Sequence, residues 1–254
     1  MNLKKYLTLA ETKKVIEMLY NLPLQKVLFL DIETVPEIYH FGKLSEKKKD
    51  LFFKKVRYKI KENETAADLY EQAGIWAEFG KIIVISVGYF AKDSDEFRIK
   101  SFASENELEI LEQFADLLNS KYFSPKDFLL CAHNGKEFDF PYIARRMIIN
   151  RISLPKKLRV FGKKPWETPF CDTMELWRFG DYKHYTSLDL LTHILDIPSP
   201  KEDIEGKDVA QVYYEDKDLP RIRKYCENDV LAVAQIMLRY MGKEILEENQ
   251  IVYS

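Results

Sequence analysis

A mixed α/β fold is predicted for this 254-residue chain by three observations. Short apolar runs at 27–34, 82–90, 97–102 and 128–132 read as buried strands. The second and third are separated only by a turn around Asp93-Ser94-Asp95, which makes them an antiparallel hairpin. Between the third and fourth lies a helical pattern long enough for a crossover connection.

Before the first strand, Thr8 to Tyr20 carries helical spacing in Val15, Ile16, Met18 and Leu19 and stops at Asn21 with Pro23 beyond. Residues 1–24 therefore read as a helical extension, and 25–245 as the main domain. The first strand, Val27-Leu28-Phe29-Leu30-Asp31-Ile32-Glu33-Thr34, ends in two carboxylates. Side chains alternate along a strand, so Asp31 and Glu33 share one face. Like charges that close repel, and one tends to hold a proton unless a cation neutralises both; hard divalent ions take carboxylate oxygens. Alone, the pair is equally a strand end meeting solvent.

From Pro36 to about Ala73 the chain is rich in Lys and Glu, including Glu46-Lys47-Lys48-Lys49 and Lys54-Lys55-Val56-Arg57. This insertion, at about 37–73, reads as helical or mobile, with a solvated face or one that meets a polyanion. After the hairpin, Ser104 stands as helix cap with Glu107 at the capping-box position. Leu108, Ile110, Leu111, Phe114, Leu117 and Leu118 form the apolar stripe.

The fourth strand runs into His133-Asn134-Gly135-Lys136-Glu137-Phe138-Asp139-Phe140-Pro141 and a helix from Tyr142 to about Asn150. Asp139 fits a helix cap. It also lies just past the C-terminal end of a buried strand, where α/β proteins gather site residues. Arg145 to Trp166 holds eight basic residues and no acidic one, with Phe161 and Trp166 interleaved as stacking candidates. Thr186 to Leu195 gives another amphipathic helix. The last helix spans about Leu219 to Met241, with Ile222, Cys226, Val230, Val233 and Met237 as its buried stripe. Tyr225 and Asp229, four apart, lie one above the other beside that stripe.

A net charge of −2 gives no global attraction to nucleic acid or membrane, so an anionic partner must be held by local basic patches or by metal. Cys131, Cys171 and Cys226 are widely spaced and read as reduced thiols. The apolar run near Met1 is too short for a signal peptide and no stretch is long enough to span a bilayer. A cytoplasmic protein without membrane attachment is expected.

Taken together, Asp31-x-Glu33, Asp139 in the 134–141 segment and Tyr225-x-x-x-Asp229 resemble, in order and spacing, the three motifs of the DEDD superfamily of 3′-5′ exonucleases. The similarity is greatest to the exonuclease domain of family B DNA polymerases and the free-standing exonucleases related to it; Ser199-Pro200-Lys201 through Val209 and the stretch Tyr225 to Val230 carry it further. The resemblance implies a ribonuclease-H-like fold, a mixed central sheet of about five strands flanked by helices, the fifth near Val160 or at Cys171-Asp172-Thr173. The histidine subclass places a His five residues before the last Asp, where this chain has Lys224; Tyr225 implies the tyrosine subclass.

That resemblance further implies two divalent ions, Mg²⁺ or Mn²⁺, bound by Asp31, Glu33, Asp139 and Asp229, with Asp31 bridging both. Tyr225 is expected to orient the attacking water, because a phenol with a pKa near 10 is a poor base at neutral pH. Ile32 (through its backbone), Thr34, Asn134 and Phe138 are expected to border the substrate, although Asn134 could instead brace its own loop. His133, Asp172 and Asp189 read as structural. The implied substrate is a nucleic acid with a free 3′ end, DNA before RNA, trimmed by a separate enzyme or one that proofreads beside a transient polymerase or repair partner. An exoribonuclease and a catalytically decayed binding module are the alternatives; the second is disfavoured because all four acidic residues and Tyr225 are present.

Overall fold

The computed structural model describes residues 22–164, 167–181, 185–198 and 204–254. The helix expected over Thr8–Tyr20, Trp166 and the Ser199-Pro200-Lys201 stretch lie outside them. Six strands form one sheet in the order β5-β4-β1-β2-β3-β6: β1 (Val27–Pro36), β2 (Gly80–Phe90), β3 (Phe97–Ala103), β4 (Leu129–Ala132), β5 (Phe170–Asp172) and β6 (Ile251–Tyr253). β1, β2 and β3 pair antiparallel, while β1–β4, β4–β5 and β3–β6 pair parallel. The helices are α1 (Glu46–Val56), α2 (Glu107–Asn119), α3 (Asp139–Ile149), α4 (Thr173–Trp177), α5 (Leu188–Ile194), α6 (Val209–Gln211) and α7 (Leu219–Tyr240).

This is the mixed sheet of about five strands read from the sequence, with β5 at Cys171-Asp172 and not at Val160. The sheet runs past residue 245 to a sixth strand. Its two faces are set by the alternation of β1. Leu28, Leu30 and Ile32 enter a core with α2 and α3, whereas Val27 and Phe29 pack against Val230, Val233, Ala234 and Met237 of α7. α7 fits that closely because Gly88 on β2 leaves no side chain in the way; a Cβ there would meet the Phe97 ring at 2.4 Å and Val230 at 2.7 Å.

The N-terminus of α2 differs from expectation. Asn106 caps it, accepting from the Leu108 N–H at 3.2 Å, while Ser104 donates to Glu109. The shift of two residues leaves Leu108 exposed and frees Glu107 for another task. Its buried carboxylate takes Arg146 Nε at 2.8 Å and Nη2 at 2.5 Å, the Ile82 N–H at 2.7 Å and Asn150 Nδ2 at 2.9 Å. Arg146 Nη1 donates to the Ala77 carbonyl at 2.8 Å. One ion pair thus ties α2, α3, β2 and the end of the insertion together.

Between β1 and β2 the insertion is folded around its own core of Leu44, Phe52, Val56, Ala66, Tyr70, Ala73 and Phe79, with Phe52 edge-on to Tyr70 and Phe79. Of the basic run after Arg145, Arg146 is buried as above, the half-buried Lys157 donates to the carbonyls of Pro125 and Phe128, and the exposed Arg159 donates to that of Leu154. Among the described residues no helix is long and apolar enough to cross a membrane.

Glu107→Leu strands the Arg146 guanidinium without its countercharge, and the expected cost is about 3–5 kcal/mol of stability, read as a lower urea midpoint. Because replacing both partners removes the uncompensated charge, Glu107→Leu/Arg146→Met should recover much of that loss.

Candidate active site

β1 carries Asp31 and Glu33 on the face covered by α7, so neither points freely into solvent. Glu33 is 7% exposed. α7 brings Cys226 onto the same spot, with its Sγ 3.3 Å from Asp31 Oδ2 and 3.4 Å from the Asp31 carbonyl. One ligand atom each from Asp31, Glu33 and Cys226 fall within 4.8 Å of one another. Burial, then the charges of Asp229, Glu33 and Asp139, pushes the Asp31 carboxyl well above the usual range, against the thiol of Cys226, which lowers it. Burial, then the charges of Asp31 and Glu33, pushes the Cys226 thiol up as well, keeping it protonated as a donor.

Asp139 arrives from the other side of β1. The ladder between β1 and β4 stops at the Phe29–Cys131 pair, and beyond it the Ile32 N–H bonds the Asp139 carboxylate. The chain reaches that position by a tight turn after β4: Asn134 adopts φ +61°, which Asn tolerates, and a Cβ on Gly135 would lie 2.5 Å from the Ala132 Cβ. Asp172 holds the turn by accepting from the N–H groups of Asn134 and Lys136, both at 3.0 Å, while capping α4 through Met174 and Glu175. Asp139 is the first residue of α3, with Phe138 at the cap. It is 3% exposed and its Oδ1 has no hydrogen-bond partner. Burial, opposed by its own N–H and that of Ile32, pushes its pKa up to about 7.

The remaining expected residues fall into distinct places. Tyr225 and Asp229 line a cleft of about 250 Å³ between α7 and α5, with Tyr185, Asp189 and Gln235 on its walls. Asp31, Glu33 and Asp139 are not part of that cleft, and Asp229 links it to them through its charge on Asp31. Lys224 sits with Nζ 3.9 Å from the centre of the Tyr253 ring on β6. Ile32 has its side chain in the core and offers only backbone. Thr34 hydrogen-bonds Tyr142 through its side chain, and Phe138 lies 5.4 Å from the same ring. Asn134 Oδ1 is buried without a partner. His133 is bound at both nitrogens, to Thr173 Oγ1 and the Thr186 carbonyl, each 2.9 Å away. Only Nε2–H can serve a carbonyl, so the ring is the Nε2–H tautomer. Burial lowers its pKa.

Two residues escaped the sequence reading. Cys226 stands in the apolar stripe of α7, where nothing in the spacing separates a packed thiol from one facing carboxylates. Glu227 is buried beside it: Ser101 Oγ donates to Glu227 at 2.9 Å, so Ser86, 2.8 Å from Ser101, donates in turn to Ser101. The signal was Ser86, a polar residue inside the apolar run of β2, facing Ser101 across the hairpin.

A family described as predicted 3′-5′ exonucleases related to the exonuclease domain of PolB matches residues 75–250. The chain belongs to this family. The matched span holds Asp139, Tyr225 and Asp229 but begins after Asp31 and Glu33. Among solved structures, the family B DNA polymerase from the hyperthermophilic archaeon Pyrobaculum calidifontis superposes with a TM-score of 0.51 at 15% identity, over 85% of this chain and 24% of that one. The chain thus spans about a quarter of the polymerase's length, and at that identity the likeness establishes the fold, which is ribonuclease-H-like. An exonuclease domain of this family works with divalent metal, and the donor set fits one. It is made of hard carboxylate oxygens, whose mutual repulsion shows in the raised Asp31 pKa, and Asp139 offers an unused buried oxygen.

The raised Asp139 pKa has a definite sign in stability. Between the ordinary carboxyl value and about 7 the native state holds the extra proton, so in metal-free buffer this group's contribution is complete at low pH and is lost as pH rises through about 7. Asp139→Asn removes the titration. Expected are a melting temperature several degrees above wild type at pH 8 in EDTA, and a difference that shrinks towards pH 4, measured by thermal denaturation.

Proposed function

We propose that this chain is a metal-dependent exonuclease that removes nucleotides one at a time from 3′ ends, acting on single-stranded DNA, through carboxylates supplied by β1, α3 and α7. The observation that carries this reading is the convergence of Asp229, Glu33 and Asp139 on the half-buried Asp31, each close enough to raise its pKa. Asp31, Glu33, Asp139 and Asp229 are assigned as the residues that would hold two divalent ions, Mg²⁺ or Mn²⁺. Bound there, such ions supply an acidified water and a counterion for the leaving oxygen. Residues 25–245 are assigned as the exonuclease domain.

The protein's own groups do the rest. Tyr225 neighbours Asp229 along one face of α7, and its hydroxyl can donate to or accept from a water held beside that carboxylate, fixing the direction of attack on the phosphorus. Thr34 and Phe138, joined through Tyr142, form the flank on which the terminal nucleotide rests. Asn134 Oδ1, buried and without a partner, is an acceptor for a sugar hydroxyl or a base N–H. Partial burial beneath α7 limits access of bulk water and strengthens the electrostatic contacts inside.

The direct test is incubation of 5′-labelled DNA and RNA oligonucleotides, single and double stranded, with Mg²⁺ or Mn²⁺. A ladder shortening from the 3′ end is expected, strongest on single-stranded DNA; no ladder with either metal defeats the proposal, and a ladder on RNA alone moves the substrate to RNA. In the same assay Asp31→Ala and Asp229→Ala should abolish the ladder. Tyr225→Phe keeps the ring and loses only the hydroxyl, so it should retain measurable activity, with a loss at or below the ~10²–10⁴-fold of a removed general acid or base. Equal loss in all three under saturating metal would overturn the positioning role of Tyr225.

A further inference from the structure

From Lys43 to Lys61 the chain carries nine Lys and Arg against two acidic residues, in a protein of net charge −2. The folded insertion turns this composition into a surface. Phe52 and Val56 anchor α1 inward, so Lys47, Lys54 and Arg57 stand outward, followed by Tyr58 and Lys59, with Tyr58 77% exposed. Lys55 and Lys59 place their ammonium groups 5.7 and 5.2 Å from the centre of the half-buried Trp76 ring, and Lys59 is 6.0 Å from Tyr58. Lys55 pairs with Glu78 at 3.2 Å, and Glu78 also feels the charge of Arg145 on α3. Tyr58, Lys59, Trp76 and Lys55 therefore form one basic and aromatic cluster, with Arg145 set against it across Glu78.

That patch is fastened to the flank of the candidate site. The Gly74 carbonyl accepts from Tyr142 at 2.7 Å, and Tyr142 in turn bonds Thr34. Two residues after Trp76's neighbour Ile75 begins, the Ala77 carbonyl is held by Arg146. The short segment from Gly74 to Ala77 thus joins the patch to the residues assigned to the terminal nucleotide. The ion pairs of α1, Lys49 with Glu46 and Lys54 with Asp50, are exposed neighbours along one helix and contribute little that a phosphate could not replace.

We propose that the insertion is a strand-guiding surface that holds single-stranded nucleic acid upstream of its 3′ end, its phosphates on Lys55, Lys59 and Arg145 and its bases against Tyr58 and Trp76. The charge supports this occupant: the acidic centre repels phosphates, and a cationic patch a few nucleotides away offsets that repulsion. Ammonium groups poised over aromatic rings match a flexible strand, whose bases are free to stack, better than a duplex with its bases enclosed. The proposal rests on the exonuclease reading for the position of the 3′ end.

Binding is measured in EDTA, so that no cleavage intervenes, by fluorescence anisotropy with 5′-fluorescein-labelled dodecathymidylate and tetrathymidylate. Lys59→Glu/Arg145→Glu is compared with Lys92→Glu/Lys126→Glu, an equal change of charge at exposed positions on the far end of the sheet, and with Tyr58→Ala, whose exposed ring contributes little to folding. Expected for Lys59→Glu/Arg145→Glu is roughly tenfold weaker binding of the dodecamer and a salt slope shallower by about 1.4, from two phosphate contacts at ~0.7 each. Tyr58→Ala should weaken the dodecamer by roughly tenfold through lost stacking. The tetramer and the control variant should be unchanged. Failure of the wild type to bind the dodecamer, equal loss in patch and control variants, or no loss in either patch variant overturns the proposal. The exonuclease reading is separable: a wild type that binds but gives no ladder with Mg²⁺ or Mn²⁺ defeats that reading and leaves the patch standing, whereas a normal ladder with patch variants that bind like wild type does the reverse.

Discussion

Holding several carboxylates together in a buried place is the constraint on which this structure turns. Asp31 sits beneath α7 with three acidic neighbours near enough to raise its pKa, and burial contributes more than any of them. Nothing about that arrangement favours folding by itself. It persists because β1 is fixed from both faces: Leu28, Leu30 and Ile32 are locked into the core beneath α2 and α3, and Val27 and Phe29 into the core beneath α7. At roughly 25 cal/mol per Å² of apolar surface buried, a strand fully enclosed by two cores can carry two poorly solvated charges at its end. The Cys226 thiol at Asp31 and the Ile32 N–H at Asp139 are small, neutral donors. They orient these two carboxylates without cancelling their charge.

The same logic explains what surrounds the centre. β2 pairs along β1 with a register shift between Glu33 and Thr34, and bulges of this kind re-aim side chains at sites. The Glu107–Arg146 pair fastens α3, and hence Asp139 at its head, to β2 and the insertion. On the α7 side, Ser86, Ser101 and Glu227 form a buried polar chain that reaches Arg223 at 3.5 Å. It satisfies the polar groups the helix covers and fixes the rotation of α7 that presents Cys226, and with it the neighbouring Tyr225 and Asp229. Tyr214, donating to the Pro36 carbonyl at 2.5 Å, pins the end of β1 from a third direction.

Much of the fold was legible because its central elements follow simple periods. β1 through β4 are apolar runs bounded by turns, and the stripe of α7 repeats at helical spacing and is buried as read. β6 was invisible for a physical reason: three residues carry no period, and Ile251–Tyr253 becomes a strand only because the edge of β3 is there to receive it. Ser104 and Asn106 are both good caps, and the choice between them was made by Glu107, whose carboxylate is taken by Arg146 from a helix almost forty residues later. In the basic run after Arg145, a count of charges does not say which side chains reach backbone carbonyls, as Lys157 and Arg159 do. The grouping of Asp31, Glu33, Asp139 and Asp229 was readable only as a pattern of types and spacings. That Asp139 would be buried with a bare oxygen, or that a thiol would face Asp31, is a property of packing that no local sequence carries.

A net charge near zero conceals an electrostatic division of labour. The 39 basic and 41 acidic residues nearly cancel in the sum, yet the acidic centre and the basic segment from Lys43 to Lys61 lie on different elements, joined through Gly74 and Tyr142. At physiological ionic strength fields decay over about 8 Å, so a strand approaching the protein responds to the patch nearest it and not to the total. Exposed Lys and Arg on α1 can attract phosphates from solution because they remain hydrated and mobile. The buried carboxylates cannot attract a phosphate at all and need a cation to reverse their sign. Placing the two charges on separate elements lets each keep the environment its chemistry requires: water around the exposed ammonium groups, and restricted access around Asp31, Glu33 and Asp139.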